Sequence, residues 1–275
     1  MKFRIRTVVG LLLVIGLAAF LWAAFVAGPG RIGVTRHDLR SQRNEAGIRL
    51  VQLSDLHLRA FGERERSLAG RVKALRPDLV VLTGDMVDRA DALPLLRAFV
   101  GELGPLALCA VPGNWEHWSG ADFTDLRDIV EGRLGNRLLV NESFSFRKGN
   151  RTVELVGLDD FTGGNPDLEL LARAGEFPDQ DAKTVILQHS PGFFDLGEVR
   201  GLMGPGRFDL CLSGHTHGGQ IAIGGWAPLR PRGSGRFVAG FYEVSGCPLY
   251  VSRGIGTSII SARLGSCPEI AVFDL

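Results

Sequence analysis

Four of the six histidines in this 275-residue chain follow directly on short apolar runs. Gly214-His215-Thr216-His217-Gly218-Gly219-Gln220 comes straight after the run at 208–213. In an extended segment side chains alternate with period two, so His215 and His217 are expected on one side. Two imidazoles on glycine-flanked backbone suit a metal ion better than a core, the bland alternative being a polar turn. Asp55-Leu56-His57 repeats the spacing after the run at 49–53. Thr83-Gly84-Asp85-Met86-Val87-Asp88-Arg89 follows a third run, Pro112-Gly113-Asn114-Trp115-Glu116-His117 a fourth, and His189 a fifth. Singly, Asp55 or Asp85 reads as a helix N-cap and Asn114 as a turn residue. Together they form a carboxylate, imidazole and amide donor set that suits Mn, Fe or Zn rather than a thiolate zinc site. A carboxylate shared by two cations about 3.5–4 Å apart is the arrangement that hydrolyses phosphate esters.

The elements that must position these residues alternate. Strand-like runs at 48–54, 78–83 and 105–111 are followed by helix-like stretches at 62–75, 91–103 and 122–131. This β–α order predicts a layered α/β fold with its ligands at the carboxyl ends of the strands. Residues 137–157 read as consecutive strands turning at Gly149-Asn150. Further strands are expected at 184–188 and 210–213, and the tail from 220 to 275 reads as strand-rich.

The order and spacing of Asp55-x-His57, Gly84-Asp85-x-x-Asp88, Gly113-Asn114, His189 and Gly214-His215-x-His217 resemble the calcineurin-like metallophosphoesterase superfamily. Gly214–Gln220, Ser252-Arg253-Gly254-Ile255-Gly256-Thr257 and Pro268-Glu269-Ile270 further resemble its bacterial membrane-associated branch. That branch includes phosphodiesterase-like proteins and hydrolases of UDP-2,3-diacylglucosamine in lipid A synthesis. The resemblance implies a four-layer β-sandwich flanked by helices. It also implies two divalent metal ions, one held by Asp55, His57, Asp85 and His217. The other falls to Asp85, Asn114, His189 and His215, with Asp85 bridging. Arg89 is expected to offset phosphoryl charge, and Asp88 to orient a neighbouring ligand.

One departure from the pattern is informative. Trp115 stands where the family usually has a histidine that helps the leaving oxygen depart. Indole donates one hydrogen bond but does not titrate, so His117 becomes the substitute acid to test. A pyrophosphate bond tolerates the loss, because a nucleotide phosphate leaves without a proton. Trp115, Trp118, Phe123 and Phe193-Phe194 are either core residues or an apolar wall for acyl chains.

Composition sets the outer bounds. Thirty-one basic against thirty acidic residues give no bulk basicity, so nucleic acid is not an expected partner. The 21 uncharged residues from 7 to 27 would span about 31 Å as a helix, enough for a bilayer core. A cleaved signal peptide competes, but cutting after Ala27 would put Phe25 at the minus-three position. Residues 1–27 are therefore expected to be a single-pass anchor in a bacterial inner membrane, 28–47 a polar linker, and 48–275 the catalytic domain. Lys2, Arg4 and Arg6 ahead of the span favour a domain outside the cytoplasm, against which Arg31 and Arg36 weigh. Cys109 and Cys211 read as buried hydrophobes, and Cys247 and Cys267 as a conceivable pair outside the cytoplasm. The expectation is a membrane-anchored two-metal hydrolase of a lipid- or nucleotide-linked phosphodiester or pyrophosphate. The alternatives are a general phosphodiesterase and a non-catalytic scaffold that holds a phospholipid headgroup.

Overall fold

The computed structural model describes residues 2–40, 47–133, 135–174, 182–222 and 226–275. Helix α1 (Lys2–Trp22) runs on through a π-helical turn (Ala23–Ala27) into the single turn α2 (Gly28–Gly30). The stretch Val9–Gly30 is long and apolar enough to cross a membrane, and nearly all of it stands free of the folded body.

Strands and helices then alternate: β1 (Gly33–Asp38), β2 (Arg49–Leu53), α3 (Glu63–Ala74), β3 (Leu79–Thr83), α4 (Leu93–Leu103) and β4 (Leu108–Val111). Next come α5 (Asn114–Trp118), α6 (Phe123–Glu131), β5 (Arg137–Leu138), β6 (Glu142–Lys148), β7 (Arg151–Gly157) and α7 (Leu168–Arg173). The chain finishes with β8 (Lys183–Leu187), α8 (Gly197–Leu202), β9 (Leu210–Ser213), β10 (Gly240–Val244), β11 (Cys247–Val251) and β12 (Glu269–Asp274). Local chemistry sets the helix starts. The Glu65 carboxylate accepts the Gly62 N–H at 2.9 Å ahead of α3, and Asp122 caps α6 by accepting the Thr124 N–H at 2.7 Å.

Two six-stranded sheets form, in the orders β1-β12-β2-β3-β4-β5 and β10-β11-β9-β8-β7-β6. Strands β2 to β5 are mutually parallel, as are β7, β8, β9 and β11. Alternation along each strand sorts its side chains between two layers. Val80 and Leu82 of β3 face α3, α4 and α6, whereas Leu79 and Val81 face the second sheet. In β8, Val185 and Leu187 face the first sheet, and Ile186 packs with Phe193 and Phe194 on the outer side. The result is a four-layer α/β sandwich, the expected architecture.

One reading is corrected and two open alternatives are decided. Residues 33–38 lie in the stretch read as linker, yet they form β1, which pairs in parallel with β12. Its polar residues hid it, because this edge strand is at most half-buried. Cys247 is buried with its Sγ 2.6 Å from that of Cys211, while Cys267 is exposed, so Cys247 and Cys267 do not pair. Phe193 and Phe194 are fully buried core residues, and Phe123 packs at the edge of the helical core, so none of them walls a ligand site.

Phe99 of α4 is fully buried between helix and sheet. Phe99→Ala should cost about 3–5 kcal/mol, the usual price of an emptied aromatic site. Urea denaturation would show this as a lower midpoint with an unchanged slope.

Candidate metal centre

Parallel strands from both sheets deliver the expected ligands to one edge of the sandwich. Asp55 and His57 follow β2, Asp85 follows β3, Asn114 opens α5 after β4, His189 follows β8, and His215 and His217 follow β9. The expected mechanism of aiming does not hold. Asp55 (φ 53°), His57 (φ 44°), Asp85 (φ 52°), His215 (φ 69°) and His217 (φ 51°) are left-handed turn residues, not extended ones. Each such residue costs roughly 1–3 kcal/mol, so the surroundings must hold it. Cross-loop backbone bonds do so: the N–H groups of Asp55 and His57 donate to the Gly84 and Asp85 carbonyls, each at 3.0 Å. The Gly214 N–H likewise donates to the His189 carbonyl at 3.0 Å. Gly84 (φ 80°) must be glycine, since a Cβ there would strike the His189 ring and Gly113.

The donor atoms of Asp55, His57, Asp85 and His217 lie within 4.8 Å of one another, as do those of Asp85, His189 and His215. Asp85 is common to both groups. His57 and His217 face each other through Nε2 atoms 3.1 Å apart, and Asn114 Oδ1 lies 2.8 Å from His215 Nδ1. All seven side chains are buried.

The hydrogen bonds around the rings leave lone pairs pointing inward. His57 donates Nδ1–H to Asp88, which leaves Nε2 for a cation. His189 donates Nδ1–H to the Thr83 carbonyl at 2.6 Å, and its buried Nε2 points at Asp85 Oδ2, 3.1 Å away, without completing a hydrogen bond. His215 donates Nε2–H to the Arg232 carbonyl at 2.7 Å, so its Nδ1 and the Asn114 oxygen present two acceptors to each other. Where Asn114 Oδ1 meets His215 Nδ1, two acceptors face each other without a donor, which a cation reconciles, and the residues present fit divalent metal ions.

Charge follows the same logic. Burial pushes the Asp85 carboxyl up, but His189 and His57 override it and hold it at about 2. Burial lowers His189, yet Asp85 raises it well above its usual range. Burial, with His57 and Arg263 adding to it, holds His217 well below the usual range, and burial with His189 lowers His215. Burial raises Asp55, partly offset by His189.

The supporting residues divide. Asp88 pairs with His57 Nδ1 and also accepts Arg59 Nε–H at 2.7 Å. Arg89 is exposed and pairs with Asp91 at 2.9 Å, outside the cleft, so it does not face a phosphoryl group. His117 pairs with Asp159 at 2.7 Å and packs on Phe123; the cleft is lined by Trp115 and Trp118 instead.

Three residues escaped the sequence reading. Glu116 accepts the backbone N–H groups of Asp85, Met86, Val87 and Gly113 at 2.7–3.1 Å, clamping the loop that carries Asp85. Burial, with Asp85 nearby, pushes its carboxyl up to about 7. Its signal was the capping-box spacing from Gly113. Arg263 is fully buried and donates to the carbonyls of Arg253 and Gly256 at 2.6 and 2.5 Å, with Nη2 3.2 Å from His217 Nδ1. Arg230 lines the cleft and is its cation. No local pattern marks the last two.

A family model described as calcineurin-like phosphoesterase matches residues 48–219. The chain belongs to that family and is a metal-dependent phosphoester hydrolase. It is 30% identical to the uncharacterised metallophosphoesterase YkuE of Bacillus subtilis, over 90% of this chain and 86% of that one. It is 31% identical to the phosphodiesterase YaeI of Escherichia coli, over 90% and 89% respectively. A Bos taurus transmembrane protein with a metallophosphoesterase domain is 31% identical over 94% of this chain and 59% of its own length. The crystal structure of TT1561 from Thermus thermophilus shares the fold, with a TM-score of 0.50 at 14% identity over 76% of this chain and 91% of that one.

Because His57 and His189 hold protons more tightly than a free imidazole, metal must displace them. Manganese affinity should therefore rise as pH climbs through and above about 6.5, with proton release visible by calorimetry in buffers of different ionisation heat. Asp88→Ala removes the acceptor that orients His57 and should weaken manganese binding about 10–100-fold, read in the same titration.

Proposed function

We propose that this chain is a membrane-anchored, two-metal phosphodiesterase or pyrophosphatase acting on a lipid-borne substrate. In this reading Asp55, His57, Asp85 and His217 hold one cation, and Asp85, Asn114, His189 and His215 the other. Bound there, such cations activate water and offset charge on the phosphoryl oxygens. The chain's own groups do the rest. Asp88 fixes the His57 ring, Glu116 holds the Asp85 loop, and Arg230 offers a cation to a phosphate in the cleft.

The observation that carries the substrate class is the wall of the cleft. It encloses about 400 Å³, and among the described residues its lining holds no histidine, carboxylate or thiol besides the proposed ligands. Trp115 occupies the place next to Asn114, and its indole N–H cannot deliver a proton to a leaving alkoxide. Leaving groups that depart as stable anions, such as phosphates or aryl oxides, fit that wall. Trp118, Ile221, Leu229, Ile259 and Ile260 make much of it apolar, which suits a substrate carrying acyl chains. Likeness to a named phosphodiesterase supports the diester reading.

The apolar helix ahead of the domain supports a single-pass anchor in the inner membrane, and the basic residues before it favour an extracytoplasmic domain. A nucleotide-linked lipid such as UDP-2,3-diacylglucosamine suits the cytoplasmic face instead. Protease accessibility of the domain in intact cells decides whether such a nucleotide-linked lipid is within its reach.

Asp85→Ala should abolish hydrolysis of bis(4-nitrophenyl) phosphate; retained turnover with metal still bound would overturn the assignment. Rates across a series of diesters should fall steeply as the leaving group becomes more basic. Trp115→His should flatten that dependence and raise turnover of alkyl diesters by up to about 10²-fold, the lower range of general acid catalysis. His117→Ala, already committed to Asp159, should lose less than about tenfold.

A further inference from the structure

The metal cleft has an apolar lip that the chemistry at its base does not need. Ile259 is 86% exposed, Leu229 67%, Trp118 58% and Ile260 45%, and all four line the same cavity. Singly exposed hydrophobes need no explanation, but a contiguous group around a ligand cleft marks a surface that meets something apolar.

Its position relative to α1 says what that is. The loop bearing Ile259 and Ile260 continues to Arg263, whose backbone N–H donates to the Ala24 carbonyl at 2.7 Å. Gly28 packs so closely on the Arg263 carbonyl that a Cβ would collide with it. Ala24 lies six residues, about 9 Å of helix, before the apolar span ends at Gly30. The lip is therefore tied to the span at the level of its last turns, not beyond them.

Charge around the same place agrees. Arg64 Nη2 donates to the carbonyls of Pro29 and Ile255 at 3.4 and 3.3 Å, and Arg71 Nη2 to that of Ile32 at 2.8 Å. Arg59 donates to Ser261 Oγ at 3.2 Å, in the loop of the lip itself. Guanidinium groups clustered at the base of an apolar span suit anionic headgroups, and apolar side chains beside them suit the acyl boundary.

We infer that the lip formed by Trp118, Leu229, Ile259 and Ile260 seats in the headgroup–acyl boundary of the bilayer that α1 crosses. The metal cleft then opens at the lipid surface, and its substrate is a phosphate presented from the membrane plane. This rests on the reading of α1 as a membrane span. The buried Arg263 is the tie, because one residue holds the span through its backbone and the metal-site loop through its guanidinium.

The test uses the full chain in nanodiscs of equimolar phosphatidylcholine and anionic phosphatidylglycerol. Nitroxide labels are placed one at a time at Ile259→Cys, Ile260→Cys, Ile15→Cys in the span, and Asn150→Cys in the turn between β6 and β7. All are made in a Cys267→Ser background, which removes the exposed thiol. Collision of each label with oxygen is compared with collision with a water-soluble nickel chelate. A side chain set 5–10 Å into the boundary should give a ratio at least about threefold above that at 150, approaching the ratio at 15. A ratio at both 259 and 260 equal to that at 150, with 15 lipid-embedded, overturns the lip alone. A water-like ratio at 15 overturns the span and the lip together. Spin–spin broadening between labels at 259 would mean that the lip covers a second copy, which also overturns the proposal.

Discussion

A carboxylate buried among imidazoles is the constraint on which the rest of this structure turns. Asp85 belongs to both donor groups and is almost wholly withdrawn from water, where an unpaired anion is costly. Its neighbours answer that cost. The Trp115 backbone N–H donates to its Oδ1 at 2.9 Å, His189 Nε2 lies 3.1 Å from Oδ2, and His57 Nε2 lies 3.7 Å away. To bring His57 to this carboxylate, the loops after β2 and β3 turn left-handed and bond to each other, while His189 arrives from the end of β8. Glu116 then absorbs the backbone donors that this geometry exposes. Four N–H groups favour a charge on Glu116, while burial and the nearby Asp85 oppose it and push its carboxyl up to about 7. Loss of either carboxylate would leave donors or imidazoles facing nothing.

The same constraint explains what could be read without coordinates. Strands β2, β3, β4, β8 and β9 are apolar on both faces, because each lies between two packed layers, so their ends stood out in the sequence. The ligands follow those ends directly. Their aim was misread, since nothing local distinguishes an extended His215-Thr216-His217 from a left-handed one. Tertiary bonds, such as those from the Gly214 N–H to the His189 carbonyl and from the His215 N–H to Asp55, make the turned form hold. β1 was invisible for the opposite reason, being a half-exposed edge strand that buries His37 against Tyr250 and Phe273 rather than an apolar run. Arg89 and His117 were placed in the site by proximity in sequence. Each instead found a carboxylate, Asp91 or Asp159, that satisfies it away from the cleft. Arg263 and Arg230 belong to the site through contacts made by the tail, and no spacing rule reaches across such distances.

Arg263 carries the argument further than its neighbours do. A guanidinium taken fully out of water normally comes with a carboxylate. Here backbone carbonyls of Arg253, Gly256, His217 and Ser266 surround it, and burial lowers its pKa to about 10. A charge held by several carbonyls is specific about their arrangement, because moving any one of them leaves a donor unpaired. The loops that bear His217, Gly256 and Ser266 are therefore locked to one another by a single residue. Its own backbone is in turn locked to the last turns of the apolar helix. A shift of that helix against the domain would be felt first at Arg263 and next at His217, a proposed metal ligand. The position of the helix and the geometry of the metal centre are thus parts of one mechanical unit.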